Sequence, residues 1–308
     1  MTRDTDTTPR FAYLDGESRA FALCAQARTL WREGGVRADG AWLTTYEAGE
    51  PGRPTVVLVN PLGISCLITT ALARRLCEEH HVLTWETRGL PDYRPEAGAG
   101  GGDWHPERHC RDLAAILQAR GVGADWLVSY CSGANIAIYG LAHGLFTARG
   151  LCLASPSLAV EGGRTTDYQR VVVPLLARVA RDGLRTAALV RALLQQAGRV
   201  PESGEERELS VINDLPFRSD ETTHRYAQLH APCLALDAVP LLRRVTVPTL
   251  VVHDRDDDLI HADTVTAIAA ALANGTLAWS DGGHFAIHKS RAMQDRILAF
   301  LAAQRRTA

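Results

Sequence analysis

The segment VSYCSGA places a thiol and a hydroxyl on adjacent residues, Cys131 and Ser132, directly after an apolar run. Either side chain could serve as a catalytic nucleophile. A nucleophile held on a sharp turn between a buried strand and a helix needs small residues two positions before and after it, because the two elements pass close together there. Centred on Cys131, those positions hold Ser129 and Gly133, but centred on Ser132 the first would hold the much larger Tyr130. The spacing therefore predicts Cys131 as the nucleophile.

Carboxylates and a histidine that could assist this nucleophile occur later in the chain. The segment HDRDDD, which begins at His253, carries four carboxylates: Asp254, Asp256, Asp257 and Asp258. His284 follows two glycines in SDGGHF, a context that allows a loop to bring its imidazole over the nucleophile. His288 is the nearest rival, but it falls at the start of the predicted last helix. The aspartate cluster would also suit a hard cation such as Ca²⁺ or Mg²⁺, although no EF-hand spacing accompanies it.

The elements that must position these residues alternate between strand and helix. Continuous apolar runs predict strands buried on both faces of a sheet at 55–60, 125–130 and 150–155. Shorter or alternating patterns predict further strands: 41–49, 81–86, 247–254 and TLAWS. Helical patterns separate the strands, and a closing helix is predicted at 288–304. This order is typical of a doubly wound, mostly parallel α/β sheet.

The strand and helix rhythm breaks in the middle of the chain, where residues 160–245 are mostly helical. We therefore predict a helical insertion at 160–245 in a single core domain that is formed by residues 1–159 and 246–308. Residues 1–20 are polar and are expected to be loosely held. The glycine cluster at 98–102 is predicted to be a flexible loop, because it lacks the GxGxxG order of a phosphate-binding turn.

The predicted insertion carries apolar residues at helical spacing. They form two groups: Val171, Val172, Leu175, Leu176 and Val179, then Leu189, Val190, Leu193 and Leu194. We expect most of these side chains to pack against the core and some to line an apolar pocket. Arg164, Arg170 and Arg178 could meet a carboxylate or a phosphopantetheine group, but scattered arginines are usually solvated.

The composition limits the class of protein. The 308 residues are 46% hydrophobic and 22% charged, with a formal net charge of −2, so no basic surface for nucleic acid is expected. No apolar run approaches the ~20 residues that span a bilayer. The first residues lack the apolar core of a signal peptide, which predicts a cytoplasmic protein. The seven cysteines are never arranged as CxxC, so neither a disulfide framework nor a zinc site is predicted, and no cofactor motif is found.

Four stretches together resemble the α/β-hydrolase superfamily. VVLVNPLG resembles its strand and oxyanion loop, and TWETRGLP resembles its DxRGxG stretch, with Glu86 in the place of the aspartate. PTLVVHDRDDDLI resembles the strand that delivers the catalytic acid, and SDGGHF the loop that delivers the histidine. The likeness covers about residues 40–160 and 240–305, and the nucleophile, acid and histidine follow one another in the family's order. It implies an α/β-hydrolase fold whose helical insertion is a cap over the active site.

The resemblance assigns roles to particular residues. The family's acid stands four residues after a histidine, which implies Asp257, with a shift to a neighbouring aspartate left open, and the implied histidine is His284. The implied oxyanion hole consists of the backbone N–H groups of Leu62 and Ser132. Two further residues are candidates for a supporting role: Asn60, which stands in the place of the usual histidine and which we interpret as structural, and Tyr130.

A cysteine nucleophile narrows the expected chemistry. Thiolate is the reactive form, and both a paired histidine and the helix N-terminus behind the turn favour it. A sulfur nucleophile forms a thioester, which passes its acyl group to amines and thiols as well as to water. Cysteine-using members of the superfamily include dienelactone-type hydrolases and thioesterase or acyltransferase relatives in natural-product pathways. The resemblance therefore implies a small-molecule acyl substrate, either free or bound to a carrier protein.

Three functions are consistent with these residues. The first is hydrolysis or acyl transfer through Cys131, His284 and Asp257. The second keeps the fold but uses His284 and Asp257 as acid and base for an elimination or rearrangement, as in tetronate-forming members of the superfamily, with Cys131 a bystander. The third is a non-catalytic binding protein, which should have lost part of the constellation. A covalent acyl-enzyme would distinguish the first function from the second.

Overall fold

The computed structural model describes residues 11, 13–90, 93, 104–197 and 203–307. Within these residues eight strands form one sheet: β1 (Arg32–Ala38), β2 (Ala41–Ala48), β3 (Thr55–Val59), β4 (His81–Trp85), β5 (Trp126–Tyr130), β6 (Gly150–Ala154), β7 (Thr249–Asp254) and β8 (Gly275–Ser280). They lie in the order β1-β2-β4-β3-β5-β6-β7-β8. β2 is antiparallel to β1 and β4, and the other neighbours are parallel. This sheet confirms the predicted mostly parallel α/β class.

From β3 onward, helices connect the strands in the order that the sequence predicts. Twelve α-helices lie in the described ranges: α1 (Ala22–Leu30), α2 (Thr70–Leu76), α3 (Pro106–Arg120), α4 (Ala134–His143), α5 (Asp167–Asp182), α6 (Leu184–Ala197), α7 (Gly204–Asn213), α8 (Asp220–Leu234), α9 (Val239–Leu242), α10 (Ala262–Ala271), α11 (Ala286–Lys289) and α12 (Arg291–Thr307). The predicted closing helix is interrupted at Ser290, whose backbone is extended. None of the described helices has both the length and the apolar character to cross a membrane.

The central strands carry apolar side chains on both faces. Along β3, Val56 and Leu58 pack on one side of the sheet and Val57 and Val59 on the other, and all four are at most 1% exposed. Helices α1, α2 and α12 cover the first side, and α3, α4 and α10 cover the second. The continuous apolar runs in the sequence were therefore a correct signal for strands that are buried on both faces.

Helices α5 to α8 form an insertion between β6 and β7, as expected for a cap. Six of its buried side chains form a cluster of their own: Val172, Leu176, Val179, Ala187, Val190 and Ala227. The prediction that most of the apolar stripe packs against the core was therefore wrong, because these side chains seal the cap helices against one another. Val171, Leu189 and Leu193 are more than half exposed, at 61%, 64% and 56%. The limits 160–245 stay a prediction.

The N-terminal segment packs against the sheet. Phe11 and Leu14 are each 2% exposed, and the Phe11 ring stacks on Tyr46 of β2 at 5.6 Å between ring centres. The prediction that residues 1–20 are loosely held was therefore wrong for these residues. The glycine cluster at 98–102 lies outside the described residues.

Candidate active site

The turn after β5 has the geometry of a nucleophile elbow. Cys131 has a φ of +50°, a left-handed conformation that is uncommon for a residue other than glycine, and it begins the short turn that leads into α4. A Cβ on Gly133 would lie 2.4 Å from the carbonyl oxygen of Val59 and 2.6 Å from that of Asn60. Ser129 is fully buried. Ser129 and Gly133, whose small size indicated Cys131 as the nucleophile, therefore lie in crowded positions of the turn.

Two loops at the same edge of the sheet bring a histidine and a carboxylate together. Nδ1 of His284 lies 2.8 Å from Oδ2 of Asp257, and both side chains are buried. Oδ1 of Asp257 accepts hydrogen bonds from the backbone N–H groups of Leu259 and Ile260, at 2.8 and 3.0 Å. Burial alone would raise the pKa of Asp257, but the hydrogen bond to His284 and the charge of that residue hold it below its ordinary value. The carboxylate is therefore ionised and orients the imidazole.

The other aspartates of the cluster have different positions. Oδ2 of Asp254 accepts a hydrogen bond from the Gly283 N–H at 2.6 Å, and its Oδ1 accepts one from the Asp256 N–H at 2.9 Å. Asp254 thereby holds the loop that carries the histidine, while Asp256 and Asp258 are exposed. Asp257 is the member of this cluster whose carboxylate meets the imidazole. In the described part of the chain, no group of three or more His, Cys, Asp and Glu side chains is arranged to hold a metal ion.

His284 also interacts with the side chain of Cys131. Burial acts to lower the pKa of this imidazole, but the charge on the Cys131 sulfur and the hydrogen bond to Asp257 outweigh burial and raise the pKa to about 10. These electrostatics favour the protonated form of the His284 imidazole. His288 lies in a different contact, with its Nε2 2.9 Å from Oε1 of Glu205.

Tyr130 and Asn60 hold the backbone around this pair. The Tyr130 hydroxyl donates to the carbonyl oxygen of His284 at 2.8 Å. Nδ2 of Asn60 donates to Oγ1 of Thr84 at 2.7 Å, and its Oδ1 accepts from Oγ1 of Thr69 at 2.8 Å. Tyr130 therefore fixes the histidine loop, whereas Asn60 ties the loop after β3 to β4 and to the turn before α2.

The two predicted oxyanion donors, Leu62 and Ser132, lie in contact with each other. The Leu62 N–H donates a hydrogen bond to Oγ of Ser132 at 3.0 Å, and the two residues are 0% and 2% exposed. The sequence excluded the Ser132 side chain as the nucleophile and indicated a role only for its backbone N–H. In the structure its side chain connects the elbow to the loop after β3.

A largely apolar cavity of about 110 Å³ opens beside Cys131 and His284. The cap supplies five of its polar side chains: Tyr168, Gln169, Asn213, Tyr226 and His230. It adjoins a second, larger cavity of about 450 Å³. The two cavities share several lining residues: Ser132, Ser157, Gln169, Val173, His230 and Leu234. A ligand bound at Cys131 therefore has room to extend into the larger space.

Two histidines to which the sequence gave no role contact the site. Nδ1 of His253 lies 3.6 Å from Oδ2 of Asp257, and its Nε2 lies 3.1 Å from the carbonyl oxygen of Ile260. His230, on α8, forms a hydrogen bond with the backbone of Leu62, and burial lowers its pKa to about 4. Its Nε2 is buried and has no hydrogen-bond partner among the described residues. The spacing of HDRDDD could have indicated His253, but no local pattern indicates His230.

The three arginines of the insertion lie at the surface, as expected for solvated side chains. Each is 62% to 71% exposed and pairs with an aspartate: Arg164 with Asp263, Arg170 with Asp167, and Arg178 with Asp182. Arg164 and Arg170 also lie on the wall of the larger cavity. None of these contacts involves the elbow or the histidine loop.

Comparison with known proteins identifies the fold. No family model matches this sequence. Similar solved structures include an enol-lactonase from Burkholderia xenovorans LB400, with a TM-score of 0.67 and 20% identity over 87% of this chain and 100% of that one. A thermophilic esterase from Thermogutta terrifontis has a TM-score of 0.66 and 18% identity, over 89% and 99% of the two chains. A haloalkane dehalogenase from Bradyrhizobium elkani USDA94 has a TM-score of 0.70 and 16% identity, over 90% and 100%. The chain therefore has the α/β-hydrolase fold.

Proposed function

We propose that this protein is an enzyme that cleaves a small-molecule ester, thioester or lactone through a covalent acyl intermediate on Cys131. The observation that carries the proposal is that His284 interacts with Cys131 on one side and with Asp257 on the other. The nucleophile is held at a φ of +50° at the start of a helix, and its histidine lies 2.8 Å from a buried, ionised carboxylate. This arrangement supplies a nucleophile, a proton carrier and a group that orients the proton carrier.

In the first half-reaction the Cys131 thiolate attacks the acyl carbonyl carbon. A carbon–sulfur bond forms while the carbonyl π electrons move to oxygen, and the Ser132 N–H is a predicted donor to the resulting oxyanion. The tetrahedral intermediate collapses by breaking the bond to the leaving oxygen or sulfur. Imidazolium His284 protonates that leaving group from Nε2, because Asp257 holds the proton on Nδ1.

In the second half-reaction the thioester on Cys131 passes its acyl group to an acceptor. Neutral His284 removes a proton from water, an alcohol, an amine or a thiol as that group attacks the thioester carbonyl. The carbon–sulfur bond then breaks, and the thiolate and imidazolium pair is restored. With water the product is a carboxylic acid, and with another acceptor it is a new acyl derivative.

The shape of the site supports a small acyl group beside the nucleophile. The cavity at Cys131 is about 110 Å³ and has apolar side chains such as Ile64, Ile68 and Val172 in its wall. The adjoining cavity of about 450 Å³ can take a longer leaving group or acceptor. The names of the enol-lactonase and the esterase that share the fold are consistent with an ester-type bond as the target.

Intact-protein mass spectrometry tests the proposal. The protein is mixed with a panel of aryl esters and acyl thioesters and quenched at short times in acid. We expect a mass gain of one acyl group in the wild type and none in Cys131→Ala. Cys77→Ala, which removes a thiol remote from the site, is the matched control and should be acylated like the wild type.

Two other results would indicate a different function. If no donor acylates the wild type while a β-acyloxy carbonyl compound is eliminated in a manner that needs His284 but not Cys131, then the enzyme is a lyase with His284 as its base. If neither acylation nor elimination occurs and ligands bind without turnover, then the protein is a binding protein.

A further inference from the structure

Ser132 directly follows the nucleophile in the chain and lines the cavity beside it. Its Oγ accepts the Leu62 N–H at 3.0 Å, and the residue is 2% exposed. A hydroxyl has one proton to donate and two lone pairs. In the described part of the chain, no acceptor for the Ser132 hydroxyl proton is found. Ser132 also lines both cavities, so a bound ligand could accept this proton. The Leu62 N–H therefore holds the Ser132 oxygen in place, and the hydroxyl proton is available for a bound ligand.

The same hydrogen bond prevents the Leu62 N–H from donating directly to a substrate oxyanion. This N–H is already committed to Oγ of Ser132, so it can reach a substrate oxygen only if that hydrogen bond breaks. Because the wild-type site must otherwise rely on the Ser132 backbone N–H alone, a second donor has to come from elsewhere. Ser132 Oγ contacts the Leu62 N–H, and Ser132 lines the cavity, so its hydroxyl is a candidate for that donor.

We propose that the Ser132 hydroxyl is the second oxyanion donor, and that the Leu62 N–H acts through it; this inference rests on the proposed acyl chemistry. In the tetrahedral intermediate the Ser132 N–H and O–H both donate to the oxyanion. The Leu62 N–H donates to Oγ and makes the hydroxyl a stronger donor, because hydrogen bonds in a chain polarise one another. Ser132 is then a catalytic residue through its side chain as well as its backbone.

If the Ser132 hydroxyl instead blocks the oxyanion site, its removal should have the opposite effect on the rate. If the hydroxyl only fills the oxyanion site in the resting enzyme, substrate must displace it before Leu62 can act. Removing the hydroxyl would then leave the rate unchanged or raise it. If the hydroxyl is a donor, removing it leaves a gap between Leu62 and the oxyanion, and the rate of acylation falls.

The test compares Ser132→Ala and Ser132→Thr with the wild type, using an activated ester that acylates Cys131. Ser210→Ala is the control, because it removes a hydroxyl on α7 that lines neither cavity. We expect Ser132→Ala to lower kcat about 10²-fold with KM changed less than about threefold, as for loss of one oxyanion donor. Ser132→Thr, which keeps the hydroxyl, should recover most of that loss, and Ser210→Ala should keep kcat within about twofold of the wild type.

Two further measurements separate this role from a structural one. An aldehyde inhibitor adds to the Cys131 sulfur to give a tetrahedral hemithioacetal, so its affinity should fall with kcat in Ser132→Ala. Alkylation of Cys131 by iodoacetamide forms no oxyanion, and its rate should stay near that of the wild type. Unchanged kcat and unchanged aldehyde affinity in Ser132→Ala would overturn the donor role, as would an equal loss in the alkylation rate. Failure of the wild type to form any acyl adduct would instead overturn the proposed function itself.

Discussion

His284 and Asp257 meet across two loops that follow adjacent parallel strands, with 2.8 Å between Nδ1 and Oδ2. β7 ends at Asp254 and β8 ends at Ser280, so each side chain lies a few residues beyond the carboxyl end of its strand. Asp254 strengthens the same junction, because its carboxylate accepts the Gly283 N–H just before the histidine. The register of the β7–β8 pair therefore determines whether the imidazole reaches its carboxylate.

Replacing Asp257 with asparagine tests this relationship. Asp257→Asn keeps the shape of the side chain but removes the charge that orients Nδ1–H and stabilises the imidazolium. The corresponding change in a serine triad lowers kcat about 10⁴-fold. Since the thiolate is nucleophilic without a base at the moment of attack, we expect a smaller loss here, about 10²-fold to 10³-fold. Steady-state kinetics with an aryl ester measure it, with Asp256→Asn as the control.

Asp256 is exposed, and its side chain does not meet the histidine. Asp256→Asn should therefore keep kcat within about twofold, as surface changes away from such a site usually have small effects. Equal losses in the two variants would mean that the local loop, and not the Asp257 carboxylate, governs the rate. A thermal melt of each variant checks that the fold is retained.

The ionisation of His284 provides a second prediction. The pKa of this imidazole is raised to about 10, and the charge on the Cys131 sulfur is the largest of the raising causes. Cys131→Ala removes that charge, so the pKa should fall. Nuclear magnetic resonance titration of the imidazole measures both values, and Cys77→Ala should leave the pKa of His284 unchanged. A midpoint in Cys131→Ala that equals the wild-type midpoint would contradict a thiolate and imidazolium pair.

The same shift predicts how stability depends on pH. The folded-state pKa of His284 lies above its ordinary value of 6.5, so protonation stabilises the folded protein. This contribution is fully present below pH 6.5 and is lost as the pH rises towards about 10. Chemical unfolding at several alkaline pH values should show a smaller loss of stability in Cys131→Ala than in the wild type.

The parts of the fold with local signals could be predicted from the sequence. The runs that became β3 and β5 are apolar on both faces, and the sizes of Ser129 and Gly133 were enough to select the turn. β1 was not predicted, since its sequence REGGVRA contains adjacent glycines and charges. A Cβ on Gly35 would lie 2.0 Å from the Trp42 ring, so this glycine makes room for a side chain of the neighbouring strand.

The contacts around Leu62 could not be predicted, because they join distant parts of the chain. Ser132 lies 70 residues after Leu62, and its side chain reaches that N–H only because β3 and β5 are neighbours in the sheet. His230 approaches the same residue from the cap, whose position no local pattern determines. The resemblance to the α/β-hydrolase superfamily implied the backbone donors of Leu62 and Ser132. It did not imply that the Ser132 side chain would accept the Leu62 N–H.

Gly133 provides a fourth prediction, on packing at the elbow. Its φ of −58° is ordinary, so glycine is needed here for space and not for backbone freedom. Gly133→Ala would place a Cβ 2.4 Å from the carbonyl oxygen of Val59, and backbone cannot move aside as a flexible side chain can. We expect a loss of about 2–3 kcal/mol in the free energy of unfolding, as for other overpacked sites. Urea unfolding measures it.

Gly123→Ala is the matched control for that substitution. A Cβ on Gly123 meets no atom within 4 Å, so the variant should unfold within about 0.5 kcal/mol of the wild type. If Gly133→Ala is no less stable than Gly123→Ala, then the elbow is roomier than these distances indicate. A stable Gly133→Ala that has lost acylation would instead show that the turn moved to relieve the contact.

His230 provides the last prediction, on stability in acid. Burial lowers its pKa from 6.5 to about 4, so the folded protein keeps this imidazole neutral where the unfolded chain protonates it. Stability therefore falls as the pH decreases from 6.5 towards 4, by an amount on the order of 3 kcal/mol for this group. His230→Gln retains an N–H for Leu62 but does not titrate. Between pH 7 and pH 4 its free energy of unfolding should decrease less than that of the wild type by about this amount, and parallel curves would show that His230 takes up its proton in the folded state.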